Sequence, residues 1–259
     1  MGTALQAPFP NPLRESFSIL AYIGGMNDLA PPATRSLSHV TDWVFDLDNT
    51  LYPRTCNLFA QIDTRITNYV MDVTQLDFDS ARSLQKTYYR DYGTTLNGLM
   101  TRHEIDPDHF LTSVHAIDYS PVIAHPDLVD TIRALPGRKF ILTNGDVGHA
   151  RSVLRQLGGD DLFEHVHDIR AMTYVPKPHK AAYDGFFALH GIDPSRAAMF
   201  DDLEKNLVVP HEVGMTTVQV VAAEDYAHEQ VEAWELGRAA GPHVHHVTDD
   251  LARFLRERP

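Results

Sequence analysis

The sequence predicts an α/β protein: a doubly wound, Rossmann-like parallel sheet with a small all-helical cap inserted after the first strand. Three observations carry that expectation. From Trp43 onward, short apolar runs alternate with longer amphipathic ones. Each amphipathic run closes at or near a glycine, as helix C-termini do. Residues 54–118 break the rhythm, with helical periodicity and no good strand.

In chain order, the strands are "WVFDL" (43–47), "KFILT" (139–143), "HVHDI" (165–169), "AAMFD" (197–201) and "TTVQVV" (216–221). Between them lie "HPDLVDTIRALPG", "DVGHARSVLRQLGG", "PHKAAYDGFFALHG" and "DLEKNLVVPHEVG" as helices, and "TDDLARFL" (248–255) reads as a capped closing helix. Strand–helix alternation at this spacing demands right-handed crossovers and helices on both faces of a parallel sheet. Within 54–118, "LFAQIDTRITNYVMDV", "DSARSLQKTYYRDYG" and "LNGLMTRHEI" repeat apolar residues near every 3.6 positions. That stretch is too long for a loop and is expected to be the cap. Residues 1–38 carry five prolines and no sustained period, so they are expected to form an extended or disordered leader, with Met26 a conceivable alternative start. The organisation expected is thus leader 1–38, core 39–53 and 119–259, cap 54–118.

A chain of 259 residues, 43% hydrophobic and 22% charged, has ordinary globular composition. Its formal net charge of −13 opposes binding to nucleic-acid polymers or anionic membranes. Small phosphorylated ligands stay open, because a metal ion or helix terminus reverses the field locally. Cys56 is the single cysteine, which fits a reducing, cytoplasmic setting and a small buried filler. No apolar stretch approaches the roughly 20 residues that span a bilayer. The run "FSILAYIGGM" (17–26) is short and lacks a cleavage site, and Gln6 spoils a myristoylation pattern.

The charges that bear chemistry sit where the apolar runs end. Asp46 and Asp48 follow the first strand at i and i+2, a spacing that in extended backbone places both on one side. In a doubly wound sheet, ligands bind beyond the carboxyl ends of the strands. Two carboxylates about 5 Å apart repel by ~3 kcal/mol at an effective dielectric of 20, so a cation must neutralise them or one must stay protonated. Both devices suit phosphoryl transfer, with one carboxylate as nucleophile and the other as proton donor. A calcium loop fails, since its sixth and twelfth positions are Leu51 and Asn57. A turn or helix cap at Asp48-Asn49-Thr50 is the plain alternative. Three further features, each at a strand end or in the loop after one, weigh against it. "FILTNGD" delivers Thr143 and Asn144 to the same edge, "VPKPHK" fixes Lys177 between prolines, and "MFDDLEKN" adds Asp201 and Asp202, an acidic set suited to magnesium. Each could be a cap or a solvated charge alone; the ordered set is not explained that way.

"DLDNT", "LTN", "PKP" and "FDD", in that order, resemble the four motifs of the haloacid dehalogenase (HAD) superfamily of aspartate-nucleophile phosphatases, over residues 42–255. The helical insertion stands where that family's first-type cap lies. "FDLDNTLYP" with "YYRDYGTTLNGLM" (88–100) resembles the pyrimidine 5'-nucleotidase branch. The resemblance implies Asp46 as the nucleophile forming an aspartyl-phosphate and Asp48 as the general acid that then activates water. It implies Thr143 and the Asn144 amide as phosphate binders, and Lys177 steadying phosphate and nucleophile. Asp202 would hold Mg2+ beside Asp46 and the Asp48 carbonyl, with Asp201 and Asn206 in support. Halide displacement, the superfamily's founding reaction, uses no acid at the second position, so Asp48 favours phosphate esters. The expected activity is that of a magnesium-dependent phosphomonoesterase on a nucleoside 5'-monophosphate; a sugar phosphatase, a phosphomutase and a non-enzymatic nucleotide binder are the alternatives.

The cap is expected to select the substrate. Tyr88, Tyr89, Tyr92 and Asn97 could stack on and read a base, and Arg90 or Arg102 could reach a ribose or phosphate, although tyrosines at helical spacing are commonly packing residues. The pairs His165/His167 and His243/His245 alternate as on strand faces, but no third ligand at a telling spacing supports zinc.

Overall fold

The computed structural model describes residues 35–222 and 241–258. Most of the expected leader, and Met26, lie outside the described residues. The described residues form one compact unit.

Strands β1 (Asp42–Phe45), β2 (Arg138–Leu142), β3 (His165–His167), β4 (Ala197–Asp201), β5 (Thr216–Val220) and β6 (His246–Thr248) form a parallel sheet in the order β3-β2-β1-β4-β5-β6. The apolar run of β1 is explained by its place at the sheet's centre, where both faces are covered. Trp43 and Phe45 feed one core and stack on Phe200, whereas Val44 points into the other with Phe140, Met199 and Phe186. This alternation is the doubly wound architecture expressed in three residues.

Helices α1 (Leu58–Thr74), α2 (Phe78–Tyr92), α3 (Thr95–His103) and α4 (Pro107–Val114) follow β1. Asp77, Thr94 and Asp106 cap α2, α3 and α4 with their side-chain oxygens. The fourth helix is not among the expected elements; its eight residues are too few to display a period. Val70, Leu99 and Phe110 of this layer share one apolar cluster with Val44 and Phe186 beneath the sheet. The insertion and the core are therefore packed as one body.

Helix α5 (Pro126–Arg133) leads to β2, and α6 (Val147–Leu157) and α7 (Lys180–His190) end at Gly158 and Gly191 in left-handed conformation. Helices α8 (Val208–Glu212) and α9 (Leu251–Glu257) complete the wrap. Three expectations need correction. Leu37 and Val40 are buried and Arg35 donates to the Gly214 carbonyl (2.7 Å), so the core begins before residue 39. The strand β6 escapes sequence reading because it is only three residues long. It starts at His246, so His243 and His245 lie outside it; their partners are Glu204 and Thr217. Cys56 is buried, which pushes its thiol pKa up, as a filler's would be. No helix among the described residues is long and apolar enough to cross a membrane.

Candidate active site

Phe45 pairs with Ile141 on one side and Phe200 on the other, so the residues that follow β1, β2 and β4 emerge together at one edge. The Asp46 amide donates to the Phe200 carbonyl at 2.8 Å, which sets Asp46 beside Asp201. Lys177, 2% exposed, reaches this edge from the loop before α7. Its Nζ donates to Asp46 Oδ1 at 2.8 Å and to Asp201 Oδ2 at 2.6 Å. The loop is clasped by Asn144, whose side chain accepts from the Lys177 amide (2.9 Å) and donates to its carbonyl (3.1 Å). The far oxygen of Asp201 accepts from Asn206 Nδ2 (2.9 Å) and the Leu203 amide (3.0 Å).

Asp46, Asp201 and Asp202 offer oxygens within 4.8 Å of one another, the one such group among the described residues. Burial raises the Asp46 carboxyl well above its ordinary range; Lys177 opposes this, and Asp201, Asp202 and Asp48 add to it. Burial and Asp201 push Asp202 up to about 7, although Arg54 is ion-paired to it at 2.9 Å. A divalent cation fits this donor set: hard carboxylate oxygens that are too close to ionise together unaided.

Asp48 stands apart from that group. Its Oδ1 accepts from Tyr52 Oη and pairs with His149 Nε2 at 2.7 Å. Its Oδ1 is thereby occupied, and its side chain is not part of the three-carboxylate group. The Tyr119 hydroxyl lies 3.0 Å from the His115 carbonyl and 3.0 Å from His149 Nδ1. With Nε2 facing a carboxylate, that ring nitrogen of His149 carries a proton. Burial pushes the Asp48 pKa up, but the charge and hydrogen bond of His149 and the bond from Tyr52 outweigh it and bring it to about 2. Burial lowers His149, yet Asp48 and Asp146 leave it raised overall.

Thr143 is buried, and its Oγ1 accepts from the Gly145 amide at 3.0 Å. A methyl group on Gly145 would lie 3.3 Å from Thr143 Oγ1 and from the His149 ring, so glycine permits this tight turn.

Above this edge, α1–α4 close over a cavity of about 170 Å³. Asp48, Asn144 and Gly145 lie at its base, Phe59, Ile62, Ile66, Leu96, Phe110 and Val114 form apolar walls, and Lys86 and Tyr89 add polar atoms. Among the expected cap residues only Tyr89 lines it. Tyr89 accepts from Lys205 Nζ at 2.9 Å. Tyr88 bonds His103 and packs edge-on against Tyr92. Asn97 donates to the carbonyls of Tyr92 (3.2 Å) and Tyr174 (2.8 Å), which occupies the amide that was expected to read a base. Arg90 pairs with its neighbour Asp91 at the surface. Sequence reasoning missed Arg54, Tyr52, Tyr119 and His149. The one signal for His149 was its place in the first helical turn after "LTN", three residues beyond the helix-capping Asp146.

Comparison with known proteins agrees with this geometry. A family model described as a haloacid dehalogenase-like hydrolase matches residues 44–208. "Phosphate metabolism protein 8" of Saccharomyces cerevisiae is 27% identical over 201 residues; the match covers 71% of this chain and spans 62% of that relative's length. Among solved structures, an L-2-haloacid dehalogenase from Xanthobacter autotrophicus superposes with a TM-score of 0.51 at 17% identity, covering 84% of this chain and 97% of its own. A HAD phosphatase from Thermococcus onnurineus gives 0.54 at 16%, with 84% and 97% coverage. With its parallel sheet, its helical insertion after β1 and its family match across most of the chain, the protein belongs to the haloacid dehalogenase-like hydrolases.

Proposed function

We propose that the protein is a magnesium-dependent phosphomonoesterase working through an aspartyl-phosphate on Asp46. The observation that carries this reading is the Lys177 ammonium shared between Asp46 and Asp201 inside a group of three carboxylates. An Asp46 oxygen attacks phosphorus, and the ester P–O bond breaks with its electron pair going to the leaving oxygen. Asp48 gives that oxygen a proton. Asp48 then takes a proton from water, whose oxygen attacks the aspartyl-phosphate and releases inorganic phosphate and free Asp46.

Asp48 is ionised in the free protein, with the shared proton held on His149. A phosphate's negative charge beside it raises its proton affinity and favours the acid form. Lys177, Thr143 and the Asn144 amide receive the phosphoryl oxygens. Asp46, Asp202 and the Asp48 carbonyl would hold the Mg2+, with Asp201 and Asn206 bracing them; when bound, the ion supplies charge neutralisation for nucleophile and phosphate. Residues 54–118 act as the substrate-selecting cap over the core.

The cavity above Asp48 has mostly apolar walls, which favours a leaving group that carries a flat ring face over a polyol alone. A pyrimidine nucleoside 5'-monophosphate meets that description better than a sugar phosphate does. The test is phosphate release from a panel of esters with and without a chelator. Nucleoside monophosphates should lead the panel and chelation should abolish turnover. Equal turnover in chelator, or in Asp46→Asn, would overturn the reading.

A further inference from the structure

The Asp48 carboxyl is held asymmetrically. Tyr52 and His149 both engage Oδ1, and among the described residues Oδ2 takes no hydrogen bond. Asp48 also lines the cavity floor beside Gly145, and its side chain is 24% exposed, so Oδ2 is the oxygen left open. His149 itself has little freedom. It is 1% exposed, its Nδ1 is fixed by the Tyr119 hydroxyl at 3.0 Å, and the His115 ring stacks on it at 4.6 Å and 17°. Its backbone amide is tied to Asp146 Oδ1 at 2.7 Å in the first turn of α6. A free carboxyl rotates about its last bond, whereas proton transfer needs a donor oxygen within hydrogen-bond reach and correctly aimed.

We propose that His149 is a positioning residue for the reaction: together with Tyr52 it pins Oδ1 of Asp48, so that Oδ2 faces the leaving oxygen of the substrate. The clamp draws on three separate segments. Tyr52 lies on the first chain crossing between sheet and cap, His115 and Tyr119 on the second, and His149 on a core helix. Movement of the cap about either crossing would therefore shift the aim of Asp48. The inference rests on the reading of Asp48 as the general acid.

The test compares two phosphate monoesters through kcat/KM, which reports the steps up to the first phosphoryl transfer. 4-Nitrophenyl phosphate has a leaving group that departs without protonation; an alkyl phosphate needs the acid. His149→Gln should lower kcat/KM on the alkyl ester by about tenfold or more while the nitrophenyl ester changes by less than about threefold, a fraction of the roughly 10²–10⁴-fold that general acid catalysis supplies. Tyr119→Phe, which removes one hydroxyl, should show a smaller bias in the same direction and serves if His149→Gln fails to fold. Asp48→Asn separates the two levels of the argument. If Asp48→Asn depresses both esters equally, the general-acid reading fails. If it is selective while His149→Gln and Tyr119→Phe depress both esters equally or leave both unchanged, His149 has only a structural role and the proposal is overturned.

Discussion

Asp46 and Asp48 are two residues apart, yet they occupy opposite electrostatic worlds. Asp46 is buried against Asp201 and Asp202 with one ammonium to share, and its proton affinity is pushed well up. Asp48 turns to a histidine and a tyrosine and stays ionised down to about 2. The i, i+2 spacing would place both on one side of an extended strand, but β1 ends at Phe45, so the chain has left the strand before Asp48. Like charges close in sequence are thus reconciled by different partners rather than by one shared cation. The same difference divides the labour: a carboxylate that faces cations suits attack, and one that shares a proton with imidazole suits proton transfer.

The largest effect expected on either side of this contrast is at Asp46. Asp46→Asn keeps the shape and should lower kcat by at least about 10⁴-fold, read as phosphate release, because a nucleophile has no substitute. Residual activity close to that of the wild type would erase the distinction between the two aspartates. Next comes Lys177→Met, which strands Asp46 and Asp201 without their shared ammonium. Breaking a buried pair from one side costs roughly 3–5 kcal/mol, measurable as a lower urea midpoint, and added Mg2+ should recover part of it.

The two sides should also respond oppositely to pH. A carboxyl whose folded pKa is raised, as at Asp202 (from 3.8 to about 7), binds more protons folded than unfolded between those values. Its contribution is complete below about 4 and lost as pH rises through 7, at up to ~1.4 kcal/mol per pH unit. Asp48 is depressed, so its contribution is present above about 4 and lost only as pH falls through 2. In chelator, therefore, the stability difference between wild type and Asp202→Asn should fall between about pH 5 and about pH 7.5, a comparison that removes the opposing slope of His167 and His245, which burial lowers to about 4. Adding Mg2+ should flatten or invert that slope, because cation binding needs the carboxylates ionised. A difference that rises with pH in chelator would place the raised pKa values elsewhere. The smallest effect expected lies in the cap: Asn97→Ala should cost about 1 kcal/mol of stability with substrate preference unchanged, since it satisfies two backbone carbonyls.

What the sequence made legible follows from where chemistry is forced. Asp46, Thr143, Lys177 and Asp201 stand at strand ends or in the loops after them, and strand ends can be read from apolar runs, so their convergence at one edge was deducible. The environment of Asp48 was not. His149 lies 101 positions away, and a histidine on the inner face of an amphipathic helix looks like core until the helix is docked. The cap misled for a related reason. Asn97 had an amide free to read a base on paper, but the end of α2 leaves carbonyls without intrahelical partners, and the nearest amide satisfies one of them. Helical periodicity gives a buried face without naming what covers it, so Phe59, Ile62 and Lys86 as cavity walls were invisible before α1–α4 were placed.

The central claim is the covalent role of Asp46, and trapping tests it most directly. Asp48→Asn, treated with 4-nitrophenyl phosphate and Mg2+ and quenched in acid, should form the aspartyl-phosphate faster than it hydrolyses it. Peptide mass spectrometry should then find one added phosphoryl group on the peptide containing Asp46, absent from the Asp46→Asn/Asp48→Asn double variant. A phosphoryl group on any other residue, or turnover that persists in the double variant, would contradict the account.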